Sequence, residues 1–128
     1  MQEKELFEYA VIRLVPRVER EEFINVGVVL YCRGQRFLQM RFTLDAQRCA
    51  ALGVQVDMEE LLVHLHAFQK ICEGGSNEEH AIAALPPAER FRWLTAKRSA
   101  VIQTSAVHPG LCTDALAMLE RLYAQLVL

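Results

Sequence analysis

Residues 7–15 read Phe-Glu-Tyr-Ala-Val-Ile-Arg-Leu-Val, rich in aromatic and β-branched side chains and stopped by Pro16, and they predict a first strand. A charged stretch, residues 17–22, separates it from residues 23–32. That second run is apolar on both alternations except at Asn25 and Gly27, the pattern of a central strand. Arg33-Gly34-Gln35 then supplies a turn. After it residues 37–44 alternate cleanly, with Leu38, Met40, Phe42 and Leu44 on one side and Phe37, Gln39, Arg41 and Thr43 on the other. The second and third runs therefore predict a β-hairpin.

The period changes after Asp57. Met58, Leu61, Leu62, Leu65, Phe68 and Cys72 recur at helical spacing behind a capping-box-like start, and Gly74-Gly75 ends the helix. Ser76-Asn77-Glu78-Glu79 resembles a second capping box, opening a short helix that must finish by Pro86-Pro87. Pro87 suits the first turn of a further helical segment over residues 88–94. Residues 99–107 alternate weakly, with Val101 and Ile102 suited to a strand, and His108-Pro109-Gly110 is expected to break it. Thr113 can cap a last helix whose stripe is Leu116, Leu119, Tyr123 and Leu126. The order β-β-β-α-α-β-α predicts an α+β fold. Its sheet is mostly antiparallel, of about four strands, with helices packed on one face.

Composition bounds the rest. With 128 residues, 52% of them hydrophobic and 23% charged, the chain fits a single domain over residues 1–128. Fourteen basic against sixteen acidic residues leave a net charge of −2, which argues against a nucleic-acid coat or an anionic-membrane binder. No apolar run approaches the roughly 18 residues that span a bilayer, and Met1-Gln2-Glu3-Lys4-Glu5 is polar where a signal peptide is apolar, so a cytoplasmic location is expected. Cys32, Cys49, Cys72 and Cys112 form no CxxC pair. Reduced, buried thiols are expected, with no metal site and no cofactor. His64 and His66 point to different faces of their helix and do not chelate one ion.

The run Tyr9-Ala-Val-Ile-Arg13-Leu-Val-Pro16, followed by Glu22-Phe23-Ile24-Asn25-Val26-Gly27-Val28-Val29-Leu30, resembles the bacterial domain-of-unknown-function family 3037. Arg90-Phe91-Arg92-Trp93-Leu94, then Arg98-Ser99 and His108-Pro109-Gly110-Leu111, is similar to that family's C-terminal signature, so the likeness covers nearly the whole chain. The resemblance implies no activity and no catalytic residues. It does imply a partner, since members of the family often lie beside a gene for a small HipA-like kinase.

Alternation sorts the strands into two faces. With Ala10, Ile12, Leu14, Ile24, Val26, Val28 and Leu30 turned to the helices, the other face carries Tyr9, Val11, Arg13, Asn25, Gly27, Tyr31, Gln39 and Arg41, with Ser99, Gln103 and Ser105 able to extend it. Tyr9, Arg13, Asn25, Gly27, Tyr31 and Arg41 are the candidate binding surface, because forked donors and aromatic rings suit a ligand or a protein partner. The plain alternative is the half-solvated face of an ordinary antiparallel sheet. Gly27 has two readings of its own: a bulge, or a gap through which a ligand reaches the backbone.

Charge is uneven along the chain. Residues 57–80 carry six acids and one Lys, whereas residues 88–112 carry Arg90, Arg92, Lys97 and Arg98 against Glu89 alone. Arg90, Arg92, Arg98, Ser99 and His108 form a second candidate, a basic or phosphate-binding patch, set against the reading in which Phe91, Trp93 and Leu94 join the core and the cations are solvated. For catalysis, Ser99, Ser105 and His108 come closest to a hydrolytic set. No GxSxG, GxxxxGK[ST], GxGxxG or HExxH surrounds them, and Glu21, Glu22 and Asp114 read as solvated or capping carboxylates rather than metal ligands. The expectation is a non-catalytic binding or accessory protein whose partner is a protein, the HipA-like kinase or a second copy. The alternative is an enzyme or sensor that holds a phosphorylated small molecule or nucleic acid with Arg13, Arg90, Arg98 and His108.

Overall fold

A computed structural model describes residues 3–53, 57–75, 81–98 and 100–128 of the chain. Its spine is β1 (Glu5–Leu14), which pairs along one edge with β2 (Ile24–Cys32). Along the other edge β1 pairs end to end with β4 (Ile102–Thr104) and β5 (His108–Cys112). Outside β2 lies β3 (Phe37–Phe42), so the order is β3-β2-β1-β4, with β5 beside β4, and every pairing is antiparallel. The helices are α1 (Ala46–Ala51), α2 (Met58–Glu73), α3 (Pro87–Thr95) and α4 (Ala115–Leu126). The fold is α+β on an antiparallel sheet, as the pattern predicts, but among the described residues the sheet has five strands.

The helices lie on both faces of the sheet, not on one. Ala10, Ile12, Leu14, Val29, Leu38 and Met40 pack against Leu61, Leu65 and Phe68 of α2 and Phe91 and Leu94 of α3. Phe7, Val28, Leu30 and Cys32 pack against Ala115, Leu119 and Tyr123 of α4. The physical reason is already in β2: its central residues are apolar on both alternations because both of its sides are roofed.

The two faces of β2 also exchange parity part-way along. Ile12 stands opposite Gly27 but Arg13 stands opposite Asn25, so Val26 is an extra residue and the strand bulges there. Before the bulge Ile24 and Val26 face α2 and α3; after it Val29 and Tyr31 do, while Val28 and Leu30 turn to α4. Gly27 is the hinge of this change. A Cβ on it would stand 2.5 Å from the Arg41 carbonyl oxygen and 2.9 Å from Phe42 Cβ, so backbone and not ligand fills its space.

His108-Pro109-Gly110, expected to break a strand, instead lies within β5. An edge strand tolerates Pro109, and Gly110 sits under the Phe7 ring, 2.5 Å from where a Cβ would be. Between β4 and β5, Ser105 completes the ladder with its side chain. Its N–H donates to the Val11 carbonyl at 2.8 Å, and its hydroxyl accepts the Val11 N–H at 2.9 Å.

The helix starts follow capping chemistry. The Asp57 carboxylate accepts from the Glu59 and Glu60 amides, and Asp45 does the same for Gln47 and Arg48 at the head of the unforeseen α1. Pro87 opens α3 as expected. α4 is capped by Asp114, not Thr113, and Gln35 adds a clamp: its side-chain oxygen accepts from Ala115 N at 2.8 Å while its amide donates to Thr113 O at 2.9 Å. The Ser76–Glu79 capping box lies outside the described residues, and a 3₁₀ turn, Ala81–Ala84, precedes Pro86.

All four cysteines are buried free thiols. Burial is the main cause that pushes Cys72 up to about 12 and Cys112 up to about 11, the latter helped by the neighbouring Cys32 thiol, and burial also raises Cys49. Because the folded values lie above the unfolded ones, this contribution to stability is full below an unfolded thiol value of about 8.5 and is lost as pH climbs through the raised range. At neutral pH iodoacetamide is expected to leave the native chain unlabelled over minutes and to modify all four cysteines once guanidinium unfolds it, as intact mass will show. Rapid labelling of the native chain contradicts this.

Candidate functional site

The first candidate surface is divided between the two faces. Arg13 and Asn25 are direct cross-strand partners and share one, with Tyr9 and Arg41; Gly27 and Tyr31 belong to the other, because the bulge shifts the alternation that predicted their grouping. Tyr31 packs on Phe91 with ring centroids 5.6 Å apart. On the shared face, α4 sits where a ligand was expected. Asn25 Nδ2 donates to Leu126 O at 3.1 Å, Arg41 pairs with Glu120 at 3.0 Å, and the Arg41 guanidinium lies 5.4 Å from the Tyr123 ring centre. Asn25 and Arg41 thus fasten the C-terminal helix.

The second candidate patch disperses as well. Arg90 and Arg92 stand two apart on α3 and point different ways. Arg90 is buried, and its guanidinium donates to Leu85 O at 2.9 Å, Ile71 O at 3.0 Å and Cys72 O at 2.7 Å; two of these carbonyls end α2. It is a C-terminal cap for that helix and not a phosphate ligand. Arg92 is exposed, beside a groove at the other end of the sheet. His108 is exposed and stacks on Tyr9 at 5.3 Å, and Ser99 lies outside the described residues. Of the hydrolytic set, the Ser105 hydroxyl is committed to Val11 N and to Ala106 O. Among the described residues no group of three or more His, Cys, Asp or Glu is placed to hold a metal, and no helix is long and apolar enough to cross a membrane.

Two arrangements remain. At the free edge of β4, Arg13 and Arg98 meet around a cleft of about 510 Å³ that Lys97, Gln103 and Thr104 also line. Arg13 is steadied by the Phe23 ring, 4.1 Å away, and Arg98 lies over Trp93 at 4.6 Å and Phe68 at 5.1 Å while donating to Trp93 O. Partial burial pulls the Arg98 guanidinium below its usual value. Lys97 and Thr104 are absent from the candidates read from sequence. Only the cation-rich composition of residues 88–112 signals the first of them.

The second arrangement is the groove of about 610 Å³ beyond the head of α3, lined by Glu5, Leu6, Glu8, Tyr31, Arg33 and Arg92 among others. Leu6, in its lining, is the direct cross-strand partner of Leu111 beside it, and each is 59% exposed. Among the described residues the helices leave this pair exposed.

A family model described as Protein of unknown function (DUF3037) matches residues 9–127, nearly the whole chain. The chain belongs to the DUF3037 family. No curated protein and no solved structure matches it. For this DUF3037 protein the positions behind the family likeness acquire physical roles: Asn25 and Gly27 shape a bulge, Arg90 caps α2, and Gly110 receives Phe7. They hold the fold together.

Proposed function

We propose that this DUF3037 protein is a non-catalytic interaction module that docks a second copy of itself through the bare end of the sheet. The observation that carries the reading is the Leu6–Leu111 pair, two large apolar side chains side by side and mostly exposed on a pleated surface whose rim is charged. An apolar centre with a polar rim is the anatomy of a protein interface. The rim favours a like partner. It carries Glu5 and Glu8 of β1 together with Arg33 and Arg92, so a copy turned by a two-fold axis can set acids against bases in both directions.

Sedimentation equilibrium is expected to show a dimer at micromolar concentration, and Leu111→Glu is expected to return it to a monomer with an unchanged far-ultraviolet circular dichroism spectrum. Leu6→Glu should act alike. A wild-type monomer across the concentration range, or a dimer indifferent to both substitutions, overturns the reading.

A further inference from the structure

The cleft at the free edge of β4 plays no part in that interface. Among the described residues Arg13, Lys97 and Arg98 line it with no carboxylate beside them, and none of the three has an ion-pair partner. In a chain with sixteen acidic and fourteen basic residues, three neighbouring cations with no counter-ion among the described residues make a local field that attracts anions. Among the described residues two buried polar atoms here also lack hydrogen-bond partners, Arg13 Nε and Thr104 Oγ1. Unsatisfied buried groups are uncommon, and both border the cleft.

Arg98 has a second neighbour. Arg98 also lines a largely apolar hollow of about 440 Å³, together with Phe68, Ile71, Ile82, Trp93 and Ile102, so it is common to hollow and cleft. The guanidinium is held on two aromatic faces and is partly stripped of water, as its lowered pKa reflects. A cation so held keeps its fork of donors aimed without reordering when an anion arrives. Inorganic phosphate alone would leave the hollow empty. A ligand with an anionic head and a flat apolar body fills both compartments.

We propose that the β4 edge binds a small organic phosphate, its phosphate held by Arg13, Lys97 and Arg98 and its ring seated in the hollow beside Trp93. The inference is independent of the dimer interface, which lies on other residues. Trp93 is the single tryptophan of the chain and reports on the hollow directly.

Adenosine monophosphate, inorganic phosphate and adenosine are to be titrated at low salt while Trp93 emission and the thermal midpoint are followed. The monophosphate is expected to shift both and to bind about tenfold or more tighter than inorganic phosphate. Lys97→Ala, at an exposed position that leaves the fold intact, should weaken it about tenfold, the ordinary worth of one charge-assisted contact, and Arg13→Gln should do the same. Added salt should loosen it further. No response to either phosphate, or a response that both variants retain in full, overturns the site. Equal affinity for inorganic phosphate and the monophosphate overturns the hollow as the ring's seat, and equal affinity for adenosine overturns the cationic head. Retention of binding in Leu111→Glu is expected and keeps this result separate from that of the interface.

Discussion

Arg90→Met is expected to destabilise the protein by roughly 3 kcal/mol, more than any surface substitution, although the position reads in sequence as a phosphate-patch candidate or a solvated cation of an amphipathic helix. Methionine matches much of the side-chain stem but has no donors, so Ile71 O, Cys72 O and Leu85 O lose their partner in a buried setting. The first two stand at the end of α2, where backbone carbonyls have no partner within the helix and the dipole favours a cation. Gly74 completes the device, since a Cβ there would collide with the guanidinium and its φ of 78° suits glycine. Urea unfolding followed by circular dichroism measures the loss. Arg90→Lys should recover less than half of it, because one ammonium does not reach Leu85 and the α2 carbonyls together. A loss below about 1 kcal/mol would show that water replaces the guanidinium at little penalty.

Gly27→Val is the second large effect. Its Cβ would meet the Arg41 carbonyl oxygen at 2.5 Å, Phe42 Cβ at 2.9 Å and Ile12 Cδ1 at 3.2 Å, and two of these belong to the neighbouring strand and cannot swing aside. Forcing it in opens the β2–β3 ladder at the bulge, for an expected cost of about 2–4 kcal/mol. That is a fall of roughly ten degrees in the thermal midpoint for a domain of this size. Gly27→Ala should be nearly as harmful, since the clash begins at Cβ. If alanine leaves the midpoint unchanged, the strands have room to part and the close approach is not what requires glycine.

The fold class was legible because period is a robust signal: Leu38 and Met40 alternate, and Leu61, Leu65 and Phe68 recur at helical spacing. The side each residue faces was less legible. One inserted residue at Val26 inverts the alternation, and a bulge is a property of a strand pair, read only when Ile12 and Arg13 are seen against Gly27 and Asn25. The second layer of helix could have been inferred from Val28-Val29-Leu30, three successive apolar residues that no one-sided sheet buries. For the candidate surface, residue type was informative and placement was not. Arg13 and Arg98 share a cleft, but Arg90 turns inward to helix carbonyls that no local motif announces.

The position of β1 at the centre of the sheet also governs how the chain comes together. Its inner edge is met by β2 after a short excursion, but its outer edge waits for partners far along the chain: Val11 and Ser105 stand 94 residues apart, and Asn25 reaches the Leu126 carbonyl across 101. Contacts of such high order carry the entropy of closing a long loop before they return any stability, which slows folding. The β1–β2–β3 meander can assemble from local pairings. Until the last quarter of the chain arrives it shows an unpaired strand edge and an unroofed row of Phe7, Val28 and Leu30, the exposure from which aggregation of a newly made chain begins.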